Sequence, residues 1–144
     1  MTADEELTRL EAEARLASAG GDRERAGQLY ELALDLRERR DPSIAELARR
    51  AAVASWAHVT AGARKGGRRS PWPYVPILKH APTPGSPAGH TEQLRGLAYA
   101  TRPEAVEAAQ RHRDAAVEDL YRKLLRPEHR ALREHHGLPA ELPA

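Results

Sequence analysis

The sequence predicts a mainly α-helical protein, and three observations support this fold class. Apolar residues recur at helical spacing in four separate segments. Each segment follows a capping signal, either a Thr-x-x-Glu box or an aspartate. The 144 residues include no Phe and only one Met, so the core must be built mostly from Ala and Leu, which suit closely packed helices.

The N-terminal region is predicted to form two antiparallel helices joined by a short turn. Thr2 and Glu5 form a capping box before the first helix, and Asp22 is the expected N-cap of the second. Gly20 and Gly21 end the first helix. The apolar faces consist of Leu7, Leu10, Ala14 and Ala17 on the first helix, and Ala26, Leu29, Tyr30 and Ala33 on the second.

Residues 7–40 resemble a single tetratricopeptide repeat. The residues that carry the resemblance are Leu10, Ala14, Gly21, Asp22, Ala26, Tyr30, Ala33 and Leu34. The chain departs from the family pattern at Ala17, where an aromatic residue is usual, and at Glu38, near the usual proline. The resemblance implies a helical adaptor that binds a partner protein. The alternative is an ordinary helical hairpin that shares the packing pattern.

A third helix is predicted to start at Asp41 and Pro42. Residues 43–65 resemble a helix-turn-helix DNA-binding motif, with 44–50 as the first helix, 51–53 as the turn and 55–65 as the recognition helix. The family normally has glycine in the turn, where this chain has alanine. The alternative is one long helix that ends in a basic loop.

Charge is distributed unevenly along the chain. Residues 42–90 carry seven basic residues and one acidic residue, whereas residues 1–41 have a net charge of −4 and residues 91–144 of zero. Four of the cations, Arg64, Lys65, Arg68 and Arg69, lie in the six residues 64–69, which we call the basic segment. Cations on a glycine-containing backbone can follow phosphates. The sequence therefore predicts nucleic-acid binding, with DNA as the expected form.

The predicted interface combines phosphate contacts with base contacts. The residues expected to contact phosphates are Arg49, Arg50, Arg64, Lys65, Arg68 and Arg69. The residues expected to face bases, if the helix-turn-helix forms, are Ser55, Trp56, His58 and Thr60. Trp72 and Tyr74 could instead stack on the bases of a single strand. The alternative for Trp56 and Trp72 is packing in the core.

Residues 71–100 are predicted to form a proline-rich connection between an N-terminal helical region, 1–70, and a C-terminal one, 101–144, within one domain. Two strands, 74–80 and 94–100, would form a short β-hairpin within the connection. A proline at position 76 removes a backbone donor, so residues 74–80 would form either an edge strand or an extended arm.

The C-terminal region is predicted to contain a long helix and a short one. Thr101 and Glu104 form a second capping box, and the long helix runs from Arg102 to about Leu125. Its apolar stripe consists of Val106, Ala109, Val117, Leu120 and Leu124. The short helix is expected to start at Pro127 and to end at residue 137.

The sequence contains no pattern typical of an enzyme. Cysteine is absent, which excludes disulfides and thiol chemistry. The seven histidines include no pair at i,i+4 spacing, so no metal or other cofactor is expected. His80 and His90 flank the proline-rich loop, but no acidic residue is expected to orient them. The acidic N-terminus and the lack of a long apolar run predict a cytoplasmic protein.

Apolar helix faces also predict a homodimer. The core of a single chain would be thin, because alanine separates most of its leucines. Pairing two chains would bury more apolar surface and would present two basic segments to a twofold-related duplex. If the long C-terminal helix forms the interface, Leu120→Asp is expected to dissociate the dimer.

Overall fold

The protein is mainly α-helical in a computed structural model, which describes residues 2–63, 71–84, 87–94 and 96–143. These residues form five helices and one three-stranded antiparallel sheet. The helices are α1 (Ala3–Ala19), α2 (Arg23–Arg40), α3 (Pro42–Ser55), α4 (Arg102–Leu124) and α5 (Arg130–His135). The strands are β1 (Trp56–Ala63), β2 (Tyr74–His80) and β3 (His90–Gln93). None of the described helices has both the length and the apolar content needed to cross a bilayer.

Side-chain caps account for where three of the helices begin. Thr2, Asp22 and Thr101 each accept a hydrogen bond from a backbone N–H in the first turn of their helix, at 3.2, 3.1 and 3.4 Å. Asp41 occupies the N-cap position of α3, but its side chain makes no capping hydrogen bond. Pro42 sets the start of α3 instead, since its φ is already helical and its missing N–H would have no helical partner.

Helix α3 runs without interruption through residues 51–53, so the turn predicted there is wrong. The predicted recognition helix is also wrong, because residues 56–63 form strand β1. Alanine has the highest helix propensity, so nothing at Ala51 or Ala52 ends the helix. Val59 and Thr60 are β-branched and pair with Leu78 and the adjacent Ile77 of β2.

The continuous path of α3 predicts that Ala52→Gly is destabilising. Ala52 is fully buried between α3 and α4, so glycine removes a packed methyl group as well as helix propensity. The expected loss in unfolding free energy is about 1.5–2 kcal/mol, measured by chemical denaturation. Ala54→Gly is the control, because this residue is exposed near the helix end and should cost less. An Ala52→Gly variant more stable than the wild type would contradict the continuous helix and support the predicted turn.

The sheet has the order β1-β2-β3, with β2 in the middle. The strand expected at Tyr74–His80 is present, but of the range 94–100 the described residues, 94 and 96–100, form no second strand. That partner strand is β3, where His90 lies opposite His80. Tyr99 contributes only an isolated bridge to Tyr74.

Pro76 lies in the central strand, which contradicts the expected edge position. In an antiparallel pair, the N–H and C=O of one residue point to the same neighbouring strand. The Pro76 carbonyl accepts a hydrogen bond from Leu94 N–H at 3.0 Å, so its ring nitrogen also faces Leu94. Because β3 ends at Gln93, the missing donor falls just beyond the ladder, and no interior hydrogen bond is lost.

Two apolar clusters hold the helices together. Helices α1 and α2 enclose Leu7, Leu10, Ala14, Leu29 and Ala33. Helices α3 and α4, with the residue after α4, enclose Ile44, Ala45, Ala48, Ala52, Val117, Tyr121, Leu124 and Leu125. Helix α4 also packs against β1 and β2 and covers one face of the sheet. Most of the apolar residues that motivated a homodimer are therefore buried within one chain, and Leu120 packs against the second cluster.

Two buried arginines, Arg133 and Arg37, hold separate segments of the chain together. Arg133 on α5, 1% exposed, donates five hydrogen bonds of 2.5–3.1 Å to carbonyl oxygens. These carbonyls belong to Leu124, Arg126, Pro127 and Ala140. Helix α5 begins at Arg130, three residues after the predicted start at Pro127, whose carbonyl serves as one of these acceptors.

Arg37 on α2 is the second buried arginine. Its Nη2 contacts both carboxylate oxygens of Glu11 on α1 at 3.2 Å. Its Nη1 donates to the Pro143 carbonyl at 3.4 Å and lies 3.8 Å from Asp41. Arg37 thus connects the N-terminal hairpin to the end of the chain.

Candidate nucleic-acid interface

The basic segment lies between two paired strands. Its four cations fall outside the residues that the structure describes. Its flanking strands are described, and the last β1 residue, Ala63, is paired with the first β2 residue, Tyr74. The chain therefore leaves the sheet at Ala63 and returns to it at Tyr74, directly beside Ala63.

Arg49 and Arg50 lie on α3, and both are engaged within the chain. Arg49 pairs with Glu118 of α4, and its guanidinium lies 3.7 Å from the Tyr121 ring centroid. Arg50 pairs with Glu46 one turn earlier at 2.5 Å. Each cation is balanced by a carboxylate, so α3 offers less free positive charge than its sequence indicates.

Ser55 and Trp56 were expected to face bases, but both lie where α3 meets the sheet. Ser55 is buried, and its carbonyl accepts a hydrogen bond from Ala81 N–H at 2.9 Å. The Trp56 ring centroid lies 3.9 Å from that of His80 and 6.5 Å from that of His112. The Trp56 carbonyl accepts a hydrogen bond from Arg113 at 3.2 Å. Trp56 therefore contacts α4, whereas Ser55 holds the end of α3 against the residue after β2.

His58 and Thr60 lie on the opposite face of the sheet from α4. Pro76 and Leu78 are buried beneath α4, so the alternating residues of β2 point outward. His58 is paired with Lys79 on this outer face, and both are exposed. The outer face of the hairpin therefore carries His58, Thr60 and Lys79 together with the apolar Val75 and Ile77.

Aromatic residues lie at the same end of the hairpin as the basic segment. Trp72, two residues before β2, is 55% exposed. Tyr74 exchanges two backbone hydrogen bonds with Tyr99, of 3.1 and 2.9 Å. Both tyrosines are half-buried. Sequence reasoning identified Trp72 and Tyr74 but missed Tyr99, which is 25 positions away from Tyr74 along the chain.

A histidine cluster lies at the other end of the sheet. The His80 and His90 rings stack with centroids 3.9 Å apart and planes 13° apart. Glu92 Oε2 lies 3.0 Å from His80 Nε2, so the expectation of no orienting acid was wrong. The pairing of β2 with β3 brings Glu92 to His80, which the linear sequence does not show. The cluster holds the start of β3 against the end of β2.

Of the C-terminal histidines, His129 and His136 are half-buried, whereas His112 and His135 are exposed. Burial lowers the pKa of His129 and of His136 below the usual 6.5, with nearby His135 adding to the effect on His136. These two groups therefore favour the neutral form near pH 7. Within the described residues, no group of three or more histidines or carboxylates is placed to hold a metal ion.

Comparison with known proteins finds no match to a family model, to a curated protein or to a solved structure.

Proposed function

We propose that this protein binds nucleic acid, with DNA as the expected form, through the β1–β2 hairpin and the basic segment that connects its strands. The observation that carries the proposal is the pairing of Ala63 with Tyr74 directly beside a segment with four cations. A two-stranded β-ribbon is one of the elements that proteins use to contact nucleic acid. In this proposal the β1–β2 hairpin contacts the nucleic acid, in place of the recognition helix predicted from the sequence.

The distribution of charge supports the basic segment as the phosphate-binding element. Arg49 and Arg50 are already paired with Glu118 and Glu46. Using them for phosphate would mean losing those contacts, which lowers their net contribution. The basic segment includes no acidic residue, and Lys79 adds an exposed cation on the outer face of β2.

A helical adaptor is the competing function, and it depends on the hairpin of α1 and α2. The apolar face of that hairpin is occupied by its own packing. Tyr30 also donates a hydrogen bond to Glu128 at 3.1 Å, and Glu31 pairs with Arg122 at 2.7 Å. A partner protein would have to bind the remaining surface of this hairpin, which is mainly polar but includes the exposed side chains of Leu16 and Leu32.

Replacing Arg64, Lys65, Arg68 and Arg69 with alanine tests the proposal. We expect the variant to keep its helical circular dichroism and to lose most of its affinity for a labelled oligonucleotide. The slope of log K against log salt concentration, measured between about 50 and 200 mM, should become less negative by about 3–4, because four phosphate contacts are removed.

A second variant controls for the change in overall charge. It replaces four exposed arginines of the helices with alanine: Arg23, Arg25, Arg39 and Arg102. Both variants lose four positive charges, but only the first should lose the salt-dependent binding. Equal losses would indicate general attraction to a cationic protein. Unchanged binding by the first variant would overturn the proposal.

A further inference from the structure

We infer that residues 138–143 cover a groove that binds an extended peptide segment of a partner protein, and that they occupy this groove within the chain. We call residues 138–143 the Leu-Pro segment, because the pair Leu-Pro occurs in it twice. The partner segment would carry the same chemistry, with two leucines four residues apart and a carboxylate between them. Helices α2 and α5 and the apolar cluster of α3 and α4 form the groove, so this inference does not depend on the β1–β2 hairpin or on the proposed function.

Every second side chain of the Leu-Pro segment points toward the protein. The half-buried residues are Leu138, Ala140 and Leu142, and the exposed residues are Pro139, Glu141 and Pro143. A period of two is typical of an extended chain with one side covered. The segment belongs to no helix or strand, and both leucines pack against the apolar cluster of α3 and α4. The segment is therefore docked as an extended peptide.

Arginine side chains hold the backbone of the Leu-Pro segment. The Ala140 carbonyl accepts hydrogen bonds from Nε and Nη2 of Arg133, at 2.9 and 2.7 Å. The Pro143 carbonyl accepts one from Nη1 of Arg37 at 3.4 Å. From residue 139 to residue 143, the backbone makes no hydrogen bond to another described backbone group. None of these side-chain contacts requires the segment to be joined covalently to α5. Proteins that bind extended peptides likewise place alternate side chains in pockets.

The composition of the Leu-Pro segment suits a peptide that binds as a separate chain. Pro139 and Pro143 have no N–H and a fixed φ, so the extended segment has fewer donors to pair and loses less conformational freedom when it binds. Glu141 forms an ion pair with Arg130 of α5 at the surface. The groove therefore favours a partner segment with proline beside leucine and with negative charge near Arg130.

The fit of the Leu-Pro segment is incomplete at Pro143. The Arg37 side chain is 5% exposed, and its Nε has no acceptor among the described residues. Its hydrogen bond to Pro143, at 3.4 Å, is longer than is usual for an N–H donor. A buried donor without an acceptor is destabilising, so a segment that supplies an acceptor here would bind better than the chain's own. A second copy would bring the same segment with the same defect, which favours a separate partner.

The test measures whether a peptide supplied separately binds the groove. The probe is a synthetic peptide with the sequence of residues 137–143, blocked at both ends and labelled for fluorescence anisotropy. The segment of the wild-type chain competes at an effective concentration of about 1 mM, so the wild type should bind the probe weakly. In the full chain, Leu142→Asp should displace the segment and tighten probe binding about 10-fold. Glu141→Arg, which places two cations side by side at Arg130, should tighten it about 3-fold.

Two controls make the result specific to the groove. Leu16→Asp places the same charge on an exposed leucine of α1 and should bind the probe as the wild type does. A probe with aspartate in place of both leucines should bind the Leu142→Asp chain about 10-fold more weakly than the intact probe does. Helical circular dichroism shows whether each variant is folded, and Glu141→Arg supplies the test if Leu142→Asp unfolds.

Equal binding of the probe by the wild type, Leu142→Asp and Glu141→Arg would overturn the inference, and so would equal binding of the two probes. Light scattering distinguishes a separate partner from a second copy. The expected result is a wild-type mass near 15.9 kDa at every concentration. A mass near twice that value, which the probe returns to 15.9 kDa, would assign the groove to a second copy and overturn a separate partner.

Discussion

Replacing Arg133 with methionine is expected to lower the free energy of unfolding by about 3–5 kcal/mol, a large share of the stability of a small protein. Arg133 donates to four carbonyls, three near the end of α4 and one in the tail at Ala140. Methionine has a similar length and no donor, so these acceptors would lose their common partner. The change is measured by urea denaturation followed by circular dichroism.

The stability of Arg133→Lys should lie between those of the wild type and Arg133→Met. We expect a loss of about 2 kcal/mol, because an ammonium cannot reproduce the planar fork of a guanidinium. Arg130→Ala is the matched control on the same helix. Arg130 is exposed and pairs with Glu141 at the surface, so its loss should cost under about 1 kcal/mol. A methionine variant as stable as Arg130→Ala would show that the carbonyls find other partners.

Breaking the Glu11–Arg37 pair is expected to have the second large effect. Glu11→Leu leaves a guanidinium that is 5% exposed without the Glu11 carboxylate, with the Pro143 carbonyl at 3.4 Å and Asp41 at 3.8 Å as its remaining partners. The expected cost is about 3 kcal/mol. The double variant Glu11→Leu, Arg37→Met should recover most of this loss, because a buried ion pair replaced by apolar side chains of similar volume is often neutral or stabilising.

The exposed Arg9–Glu13 pair, also on α1, is the control for this cycle, with an expected coupling of about 0.3–0.5 kcal/mol.

The pH dependence of stability gives an independent check on the Glu11–Arg37 pair. Burial raises the pKa of Glu11 above its usual 4.5 and outweighs the opposing effect of Arg37. The folded state therefore holds this proton more tightly, and the contribution of Glu11 falls as pH rises above 4.5. Relative to the double variant, the wild type should lose stability as the pH rises over that range. A difference in unfolding free energy that stays constant with pH would contradict a raised pKa for Glu11.

Local signals in the sequence were sufficient to place the starts of helices α1 to α4. Thr2, Asp22, Pro42 and Thr101 act within one turn of the chain, so their effect does not depend on distant residues. The end of α3 was not predicted from local signals. Residues 56–63 carry alanines that suit a helix, and they form a strand because β2 pairs with them.

The candidate site shows the same division between local and long-range information. Clustered cations are visible in the sequence, and so is Trp72 between its prolines. Tyr99 reaches the site only because of a bridge across 25 positions, and Glu92 reaches His80 only through the register of β2 and β3. Pairing between strands that are far apart in the sequence depends on tertiary contacts, which the hydrophobic periodicity of the sequence does not encode.

Pro76 disfavours incorrect strand registers in the three-stranded sheet. Strand β3 has only four residues, so the correct register is favoured by few hydrogen bonds. If β3 slid by two residues toward Tyr74, a residue within β3 would lie opposite Pro76 and would require the N–H that proline lacks. A slide by one residue would reverse which side chains point toward α4. The proline thus raises the free energy of a competing register without weakening the native one, and it widens the gap between the native state and its alternatives.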